Sequence, residues 1–178
     1  MTTGRVFIAT SLDGYVARKD HSLDWLMKQP QGPDDTGYEA FVETIDGLVM
    51  GRGSYETVKG FGTWPYTKPV VVLSKTLSQS DVPAELQDKV RTVDLSPKAA
   101  MDMLHAEGWT KAYVDGGRLV QSFMREGLIE ELVITTIPIL IGQGISLFGE
   151  LPQDIDLELV SSKVLNENMV QSHYRVER

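Results

Sequence analysis

The chain has 178 residues, a length that fits one domain with a full hydrophobic core better than two. Its hydrophobic fraction of 42% and charged fraction of 24% are ordinary for a globular protein, and its net charge of −8 argues against nucleic acid or an anionic membrane as the main partner. There is no Cys, and the first residues lack the long apolar segment of a signal peptide. The three histidines have no metal-ligand spacing. We therefore expect one cytoplasmic domain over residues 1–178, with no metal site.

The first third of the chain begins with a short apolar strand, predicted at Arg5–Thr10. The polar segment Asp13–Gly37 follows, and loops of this length often serve as functional lids. A short helix is then expected over Tyr38–Ile45, leading into a strand at Gly47–Met50. Another helix is predicted to begin with Ser54–Val58.

The middle of the chain alternates strands and helices. Pro69–Leu73 is typical of a buried parallel strand. Ser96-Pro97 is a helix start, with Ser as the N-cap and Pro at the first helical position. That helix is expected to end at Glu107 and to precede a strand at Lys111–Asp115. An apolar stripe from Leu119 to Met124 then predicts a helix that Gly127 ends.

The last third is predicted to be mostly strand. Glu131–Pro138 forms one strand, and Leu157–Leu165 and Met169–Val176 form an antiparallel hairpin around Asn166-Glu167-Asn168. Together with the alternating middle section, this pattern predicts a three-layer α/β domain. Its sheet would be mostly parallel, with helices on both faces and the antiparallel hairpin at one edge.

Four short motifs follow one another along the chain. They are Ser11-Leu12-Asp13-Gly14, Met50-Gly51-Arg52-Gly53-Ser54-Tyr55-Glu56, Val71-Val72-Leu73-Ser74-Lys75 and Val114-Asp115-Gly116-Gly117-Arg118. Three of the four place a Gly, Ser or Arg directly after an apolar run, where backbone amides and cations can meet phosphates. That arrangement indicates a nucleotide cofactor at the edge of a parallel sheet.

The ordered motif set resembles the dihydrofolate reductase-like superfamily, and within it the branch of the riboflavin-biosynthesis reductase domain. The likeness extends from Arg5 to Arg178 and includes the run Pro138–Phe148. It implies an NADPH-dependent reductase, a homodimer, and a first loop that covers the nicotinamide. The residues that the resemblance assigns to the cofactor are Ala9, Val16, Ala17, Gly51, Arg52, Ser54, Leu73, Ser74, Lys75, Val114, Gly116, Gly117, Arg118 and Leu119.

Physical chemistry supports the core of this assignment. Paired glycines let a backbone approach a pyrophosphate, and the helix that follows offers free N–H groups and a positive dipole end. Arg52 and Lys75 can supply charge for a 2′-phosphate, which favours NADPH over NADH. Gly142-x-Gly144 lacks the third glycine of the dinucleotide fingerprint, so the standard Rossmann arrangement is rejected.

The candidate acids and substrate contacts are less specific. Asp35 lies near the position of the acid that handles the pterin ring in dihydrofolate reductases, and Asp13 is the second candidate for a catalytic role. Each has a structural alternative, because Asp favours helix N-caps and Asp-Gly favours turns. Trp25, Phe41 and Trp64 are candidate walls for a flat ring substrate, or else loop and core anchors.

Two departures from the family pattern bear on the substrate. Asp115 occupies the first place of what is often a glycine triplet, and no Arg is placed to clamp a folate glutamate tail. The resemblance therefore favours a pterin or pyrimidine substrate, as in 5-amino-6-(5-phosphoribosylamino)uracil reductase. That pathway enzyme usually carries a deaminase domain, which these residues lack. A true dihydrofolate reductase and a non-catalytic nucleotide-binding module stay open as alternatives.

Overall fold

An eight-stranded sheet forms the middle layer of the computed structural model, which describes all residues 1–178. In chain order the strands of the molecule are β1 (Thr3–Ser11), β2 (Tyr15–Ala17), β3 (Gly47–Gly51), β4 (Val70–Leu73), β5 (Val90–Val93), β6 (Lys111–Asp115), β7 (Ile129–Ile137), β8 (Ile145–Ser146), β9 (Leu157–Leu165) and β10 (Met169–Val176). The main sheet has the order β5-β4-β3-β6-β1-β7-β10-β9, and β2 pairs with β8 in a separate two-stranded sheet.

The first six strands of that order are parallel, and β10 and β9 are antiparallel to their neighbours. Register follows the apolar pattern: Val6 of β1 lies opposite Leu132 of β7. Both strands therefore present apolar side chains to the same face. The mostly parallel sheet with a C-terminal antiparallel hairpin confirms the predicted fold class.

Five helices cover the sheet. They are α1 (Asp24–Met27), α2 (Tyr38–Glu43), α3 (Arg52–Lys59), α4 (Pro97–Ala106) and α5 (Gly117–Arg125). Side chains of α4 and α5 pack with Val6, Val49 and Val114 in one core layer. Side chains of α2 and α3 pack with Leu48 and Tyr113 on the opposite face. The longest of these helices, α4, has 10 residues, so none of them could span a bilayer.

The predicted start of α4 is confirmed in atomic detail. The Ser96 hydroxyl accepts the N–H of Ala99 at 3.2 Å, and Pro97 is the first helical residue. By contrast, neither aspartate before α2 is its N-cap, because Gly37 takes that position with a φ of +79°. Asp34 instead forms reciprocal hydrogen bonds with Asn166 in the β9–β10 turn. The turn of the hairpin thus holds the loop that leads into α2.

The hairpin at the sheet edge is uncovered. Every residue of β9 except Leu165 is exposed. Leu159 is 58% exposed, Val164 63% and Val170 44%. Val164 lies opposite Val170, and Leu159 lies opposite Tyr174. These side chains lie on the same face of the sheet as α5, and α5 packs on that face against strands nearer the centre of the sheet. One face of the hairpin therefore presents an apolar surface that nothing within the chain covers.

Candidate active site

A cavity of about 380 Å³ lies where β1, β3 and β6 end and where α3 and α5 begin. Its position at the carboxyl ends of parallel strands is where α/β sheets usually bind ligands. Ten of the residues assigned to the cofactor line it: Ala9, Val16, Ala17, Gly51, Arg52, Ser54, Gly116, Gly117, Arg118 and Leu119. The remaining wall is formed by Ile8, His21, Leu23, Leu26, Gly53, Thr57, Val58, Asp115 and Ile145.

Two helix N-termini face this cavity. The N-cap residues of α3 and α5 are Gly51 and Gly116, and no side chain caps either helix. The first N–H groups of both helices are therefore free to bind an anion, and both helix dipoles favour one. Gly116 has a φ of +100°, and a Cβ on it would lie 2.5 Å from the Ser54 hydroxyl. Two motifs 62 residues apart in the numbering thus come into direct contact.

The cations of the motifs lie at the rim. Arg52 donates to the Thr76 hydroxyl at 2.7 Å, and its Nε lies 3.8 Å from Glu56. Arg118 is exposed at the start of α5 and lines the cavity. Lys75 is also exposed but does not line it. Because α3 and the turn after β4 meet through Arg52, the rim carries positive charge beside two free helix ends.

Four of the fourteen assigned cofactor residues lie outside the cavity wall. Besides Lys75, they are Leu73, Ser74 and Val114. Leu73 packs against the core under α4 and α5, and Val114 is fully buried in that same core. The Ser74 hydroxyl accepts the N–H groups of Thr76 and Leu77. It therefore shapes the turn that Arg52 contacts, and in this conformation its oxygen faces its own backbone.

The two-stranded sheet of β2 and β8, which we call the lid, lies close to the glycine pair at the start of α5. A Cβ on Gly117 would lie 2.5 Å from the carbonyl oxygen of Ser146 and 2.9 Å from Val16. These two residues belong to β8 and β2, the strands of the two-stranded sheet. The tight approach leaves the first turn of α5 open on the cavity side, so the residues present fit the phosphates of a dinucleotide.

Asp13 holds the lid from outside. Its carboxylate accepts the N–H of Gly142 at 2.8 Å and that of Ile141 at 3.3 Å. A hydrogen bond from the Ser11 side chain, together with these backbone bonds, lowers the pKa of Asp13. The side chain is exposed and does not line the cavity. In this conformation Asp13 contacts backbone N–H groups outside the cavity, and its catalytic role stays a prediction.

Asp115 is the acid that does line the cavity, and the sequence indicated it only as a departure from the glycine pattern. It is the last residue of β6 and shares the face of Tyr113, two residues earlier. Burial raises the pKa of this carboxyl to about 6, and a hydrogen bond from the Gly116 N–H offsets only part of that effect. A carboxyl in this state can both donate and accept a proton near neutral pH.

An aromatic cluster lies beside Asp115. We define it as Phe7, Tyr38, Phe41, Trp64, Tyr66 and Tyr113. Phe41 and Tyr113 meet edge to face with ring centroids 5.1 Å apart, as do Trp64 and Tyr66 at 5.4 Å. Burial and then the charge of Asp115 raise the pKa of the hydroxyls of three members: Tyr38, Tyr66 and Tyr113. Asp115 lines the cavity of about 380 Å³, whereas Tyr38 and Tyr66 of the cluster line a second cavity of about 340 Å³.

The three aromatic substrate candidates have different surroundings. Phe41 and Trp64 belong to the aromatic cluster. Trp25 is fully buried, so it cannot contact a substrate in this conformation and acts as an anchor of the loop. Asp35 is exposed, accepts the N–H of Gly37 at 2.8 Å and lines neither the cavity of about 380 Å³ nor the second cavity of about 340 Å³. The structure does not bring Asp35 together with the other candidates, and its hydrogen bond is that of a turn residue.

One family model matches nearly the whole of this chain. The family model described as the RibD C-terminal domain matches residues 2–171. The uncharacterized protein YwjB of Bacillus subtilis strain 168 is 36% identical over 173 residues, which cover 95% of this chain and 95% of that protein. A structure from Shewanella sp. PV-4 whose name assigns it to riboflavin biosynthesis is 44% identical, with a TM-score of 0.92 over 99% of this chain and 100% of that one.

Two more distant structures share the fold alone. The deaminase/5-amino-6-(5-phosphoribosylamino)uracil reductase of Thermotoga maritima superposes with a TM-score of 0.75 at 12% identity, over 99% of this chain and 57% of that one. Dihydrofolate reductase from Enterococcus faecalis, solved with NADP(H), gives 0.65 at 17% identity, over 99% and 97% of the two chains. The dihydrofolate reductase-like fold expected from the motifs is thereby confirmed.

Proposed function

Because this chain belongs to the RibD C-terminal domain family, we propose that it is an NADPH-dependent reductase of a pyrimidine or pterin-type substrate. The observation that carries the proposal is the cavity itself, in which two uncapped helix N-termini and the glycine pair face the same space as Asp115. One half of the site is built for phosphates and the other for a group that needs a proton. The nearest reaction is that of 5-amino-6-(5-phosphoribosylamino)uracil reductase.

The cofactor half is formed by the starts of α3 and α5 with Arg52 and Arg118 at the rim. When bound, NADPH would supply the hydride from its nicotinamide ring. The backbone N–H groups of Gly117 and the first turn of α3 would hold its phosphates, and Val16 and Ala17 in the lid would exclude water. Charge at Arg52 and Lys75 favours the 2′-phosphate, so NADPH should bind at least about 10-fold tighter than NADH.

The substrate half is formed by Asp115 and the aromatic cluster. Reduction of a C=N bond delivers hydride to carbon and requires a proton at nitrogen, which a general acid near its pKa provides efficiently. Burial raises the pKa of Asp115 to about 6, so about a tenth of this carboxyl is protonated at pH 7 and more at lower pH. We assign it the role of proton donor, and Tyr66, which lines the second cavity and whose pKa the charge of Asp115 helps to raise, the role of a wall for a planar substrate.

A true dihydrofolate reductase is the second candidate, and one observation weighs against it. Lys68, the nearest cation for a folate tail, donates from its ammonium to the carbonyl oxygen of Ile45 at 2.9 Å. It also shares a second cavity, of about 340 Å³, with Glu39 and Glu43, whose carboxylates would repel the glutamate of a folate. A folate tail would thus meet two carboxylates and an already engaged ammonium.

The test is loss of NADPH absorbance with two substrates in parallel: 5-amino-6-(5-phosphoribosylamino)uracil and dihydrofolate. Each is run with NADPH and with NADH. We expect turnover with the pyrimidine, a preference for NADPH, and weak or absent turnover of dihydrofolate. Turnover of dihydrofolate at about 10 per second, the usual enzyme median, would favour the second candidate. NADPH binding without turnover of either substrate would favour a non-catalytic nucleotide-binding module.

A homodimer also belongs to this proposal. The apolar face of the hairpin, with Leu159, Val164 and Val170, is exposed in the single chain. The hydroxyls of Ser162 and Ser172 lie 3.3 Å apart on the same face and leave room for close approach by a second sheet. A second copy of the chain would bury this face, and burial of such a patch is typical of stable association.

A further inference from the structure

His21 is held in an unusual backbone conformation in the wall of the cavity. Its φ is +67°, in the left-handed region that non-glycine residues seldom occupy. A tight turn fixes it, in which the His21 N–H donates to the carbonyl oxygen of Arg18 at 2.9 Å and the Arg18 N–H donates to that of Ser22 at 3.1 Å. Strain of this kind is concentrated at functional sites, because the surrounding structure must stabilise it.

The imidazole of His21 lies directly on the start of α3. A Cβ built on Gly53 would fall 2.3 Å from Cε1 and 2.8 Å from Nδ1 of the ring. A side chain at position 53 would therefore collide with the ring, and the glycine lets the imidazole lie against the first turn of the helix. No hydrogen bond within the protein engages either ring nitrogen, although the side chain lines the cavity together with Arg52 and Ser54.

We propose that His21 is a phosphate-binding residue of this cavity and completes the phosphate site formed by the starts of α3 and α5. This inference rests on the proposed function, since the phosphate belongs to the bound dinucleotide. An imidazole offers an N–H donor at either ring nitrogen, and a phosphate at an uncapped helix N-terminus accepts such donors. The glycine at position 53 and the strained turn both serve to bring the ring to that point.

The charges around His21 favour this role. Arg52 and Arg118 line the same cavity and add positive charge on the side of the two helices. Arg18, on the turn itself, is engaged with Asp24 in a bidentate contact at 2.6 and 3.1 Å, which neutralises that carboxylate. Asp20 accepts the N–H of Ser22. Asp115 lies in the same wall, on the side of the aromatic cluster.

Two phosphate groups of the dinucleotide could be the partner: the pyrophosphate and the 2′-phosphate. The chemistry of the contact is the same for both. Three ligands distinguish them: 2′,5′-ADP carries a 2′-phosphate, 5′-ADP carries only the diphosphate, and adenosine carries neither. A contact with the 2′-phosphate weakens binding of NADP⁺ and 2′,5′-ADP but of neither NAD⁺ nor 5′-ADP, whereas a contact with the pyrophosphate weakens binding of NADP⁺, NAD⁺ and 5′-ADP alike.

The test compares the wild type with His21→Asn by calorimetric titration of NADP⁺, NAD⁺ and these three ligands. Asn accepts a positive φ, so the turn is retained while the imidazole is removed. We expect about 10-fold weaker binding of the phosphate ligands that the ring contacts, and unchanged binding of adenosine. Gly53→Ala, which displaces the ring without removing it, should reproduce the loss. His105→Asn, an exposed histidine on α4, is the matched control and should bind all ligands as the wild type does.

Equal affinities of wild type and His21→Asn for every phosphate ligand would overturn the inference while leaving the proposed function intact. An equal loss for adenosine would also overturn it, because the histidine would then shape the loop and not contact phosphate. If the wild type itself binds neither NADP⁺ nor NAD⁺, both the inference and the proposed function fail. The thermal midpoint of each variant without ligand shows whether the fold is retained.

Discussion

The Asp13 carboxylate accepts the backbone N–H of Gly142 at 2.8 Å, across 129 residues of sequence. This bond joins the loop after β1 to the loop before β8, and the paired strands β2 and β8 lie between that bond and the glycine pair. Two motifs that looked independent in the sequence are therefore the two halves of one lid. The Asp13 side chain adds to backbone hydrogen bonds between the same segments, from the Leu12 N–H to the Ile139 carbonyl oxygen at 2.9 Å and from the Leu147 N–H to the Gly14 carbonyl oxygen at 3.0 Å.

The first prediction concerns that closure. Asp13→Ala removes both acceptors of the lid contact and should weaken NADPH binding several-fold, with little change in the thermal midpoint, because the contact lies outside both core layers. Asp13→Asn keeps one acceptor oxygen, so its affinity for NADPH should lie between that of the wild type and that of Asp13→Ala. Fluorescence titration measures both, and Asp88→Ala, an exposed aspartate far along the chain, serves as the control. Unchanged affinity in Asp13→Ala would show that the lid stays closed without it.

The same contact has a defined dependence on pH. Hydrogen bonds from Ser11 and the backbone lower the pKa of Asp13 in the folded protein. Its contribution is therefore complete above the unfolded value near 3.9 and is lost only as the pH falls through the folded value. Cofactor titrations between pH 5 and 8 should thus show no loss of affinity that depends on Asp13.

The second prediction concerns Asp115. Asp115→Asn keeps the shape of the side chain but removes its proton donor, so turnover should fall at least about 100-fold while NADPH affinity is retained. In the wild type, turnover should decline as the pH rises through about 6, the pKa of this carboxyl. If Asp115→Asn keeps the rate and the pH profile of the wild type, Asp115 is not the proton donor.

Stability gives an independent readout for the same residue. Burial raises the pKa of Asp115 from 3.8 to about 6, so the folded protein holds this proton more tightly than the unfolded chain does. Its contribution to stability is complete below about pH 4 and declines as the pH rises through about 6. Asp115→Asn should therefore melt a few degrees higher than the wild type at pH 8, and this gain should vanish near pH 4.

The third prediction concerns Gly117. A Cβ there would lie 2.5 Å from the Ser146 carbonyl oxygen, which is backbone and cannot move aside cheaply. Gly117→Ala should consequently push the lid strand β8 from α5, lower the thermal midpoint and abolish most cofactor binding. Gly60→Ala, where the nearest atom would be 3.3 Å away and φ is −71°, is the matched control. A wild-type ligand shift in Gly117→Ala would contradict the close approach.

The fourth prediction concerns assembly. Val164→Lys and Leu159→Lys place charges in the centre of the apolar hairpin face, and they should convert a dimer into monomers without loss of fold. Sedimentation at micromolar concentration measures the change. Ser161→Lys, which lies opposite His173 on the other face of the hairpin, is the control and should remain dimeric. A wild type that sediments only near 19.8 kDa would refute the homodimer.

Several elements could be predicted from the sequence because local patterns determine them. The hairpin strands and Lys111–Asp115 begin and end where alternation and turn residues predict. Strand β5 was not predicted, since Val90-Arg91-Thr92-Val93 is a short edge strand with an exposed arginine in its centre. The lid strand β8 has only two residues, so no periodicity can reveal it.

The site was predictable only where a local motif lines the cavity. Glycines and helix starts carry a local pattern, and ten assigned residues do line the cavity. The role of Asp115 depends instead on which face of β6 it occupies and on the tyrosines that tertiary packing brings beside it. His21 was missed for the same reason, because its contact with Gly53 joins segments that no local pattern relates.

Transfer of deuterium from NADPH to substrate tests the central claim most directly. NADPH that carries deuterium at both C4 positions is incubated with the protein and 5-amino-6-(5-phosphoribosylamino)uracil, and the product is analysed by mass spectrometry. We predict a product heavier by one deuterium, formed by the wild type and strongly reduced in Asp115→Asn. A substrate recovered unchanged, with NADPH bound but not consumed, would contradict the assignment of this cavity as the active site of a pyrimidine reductase.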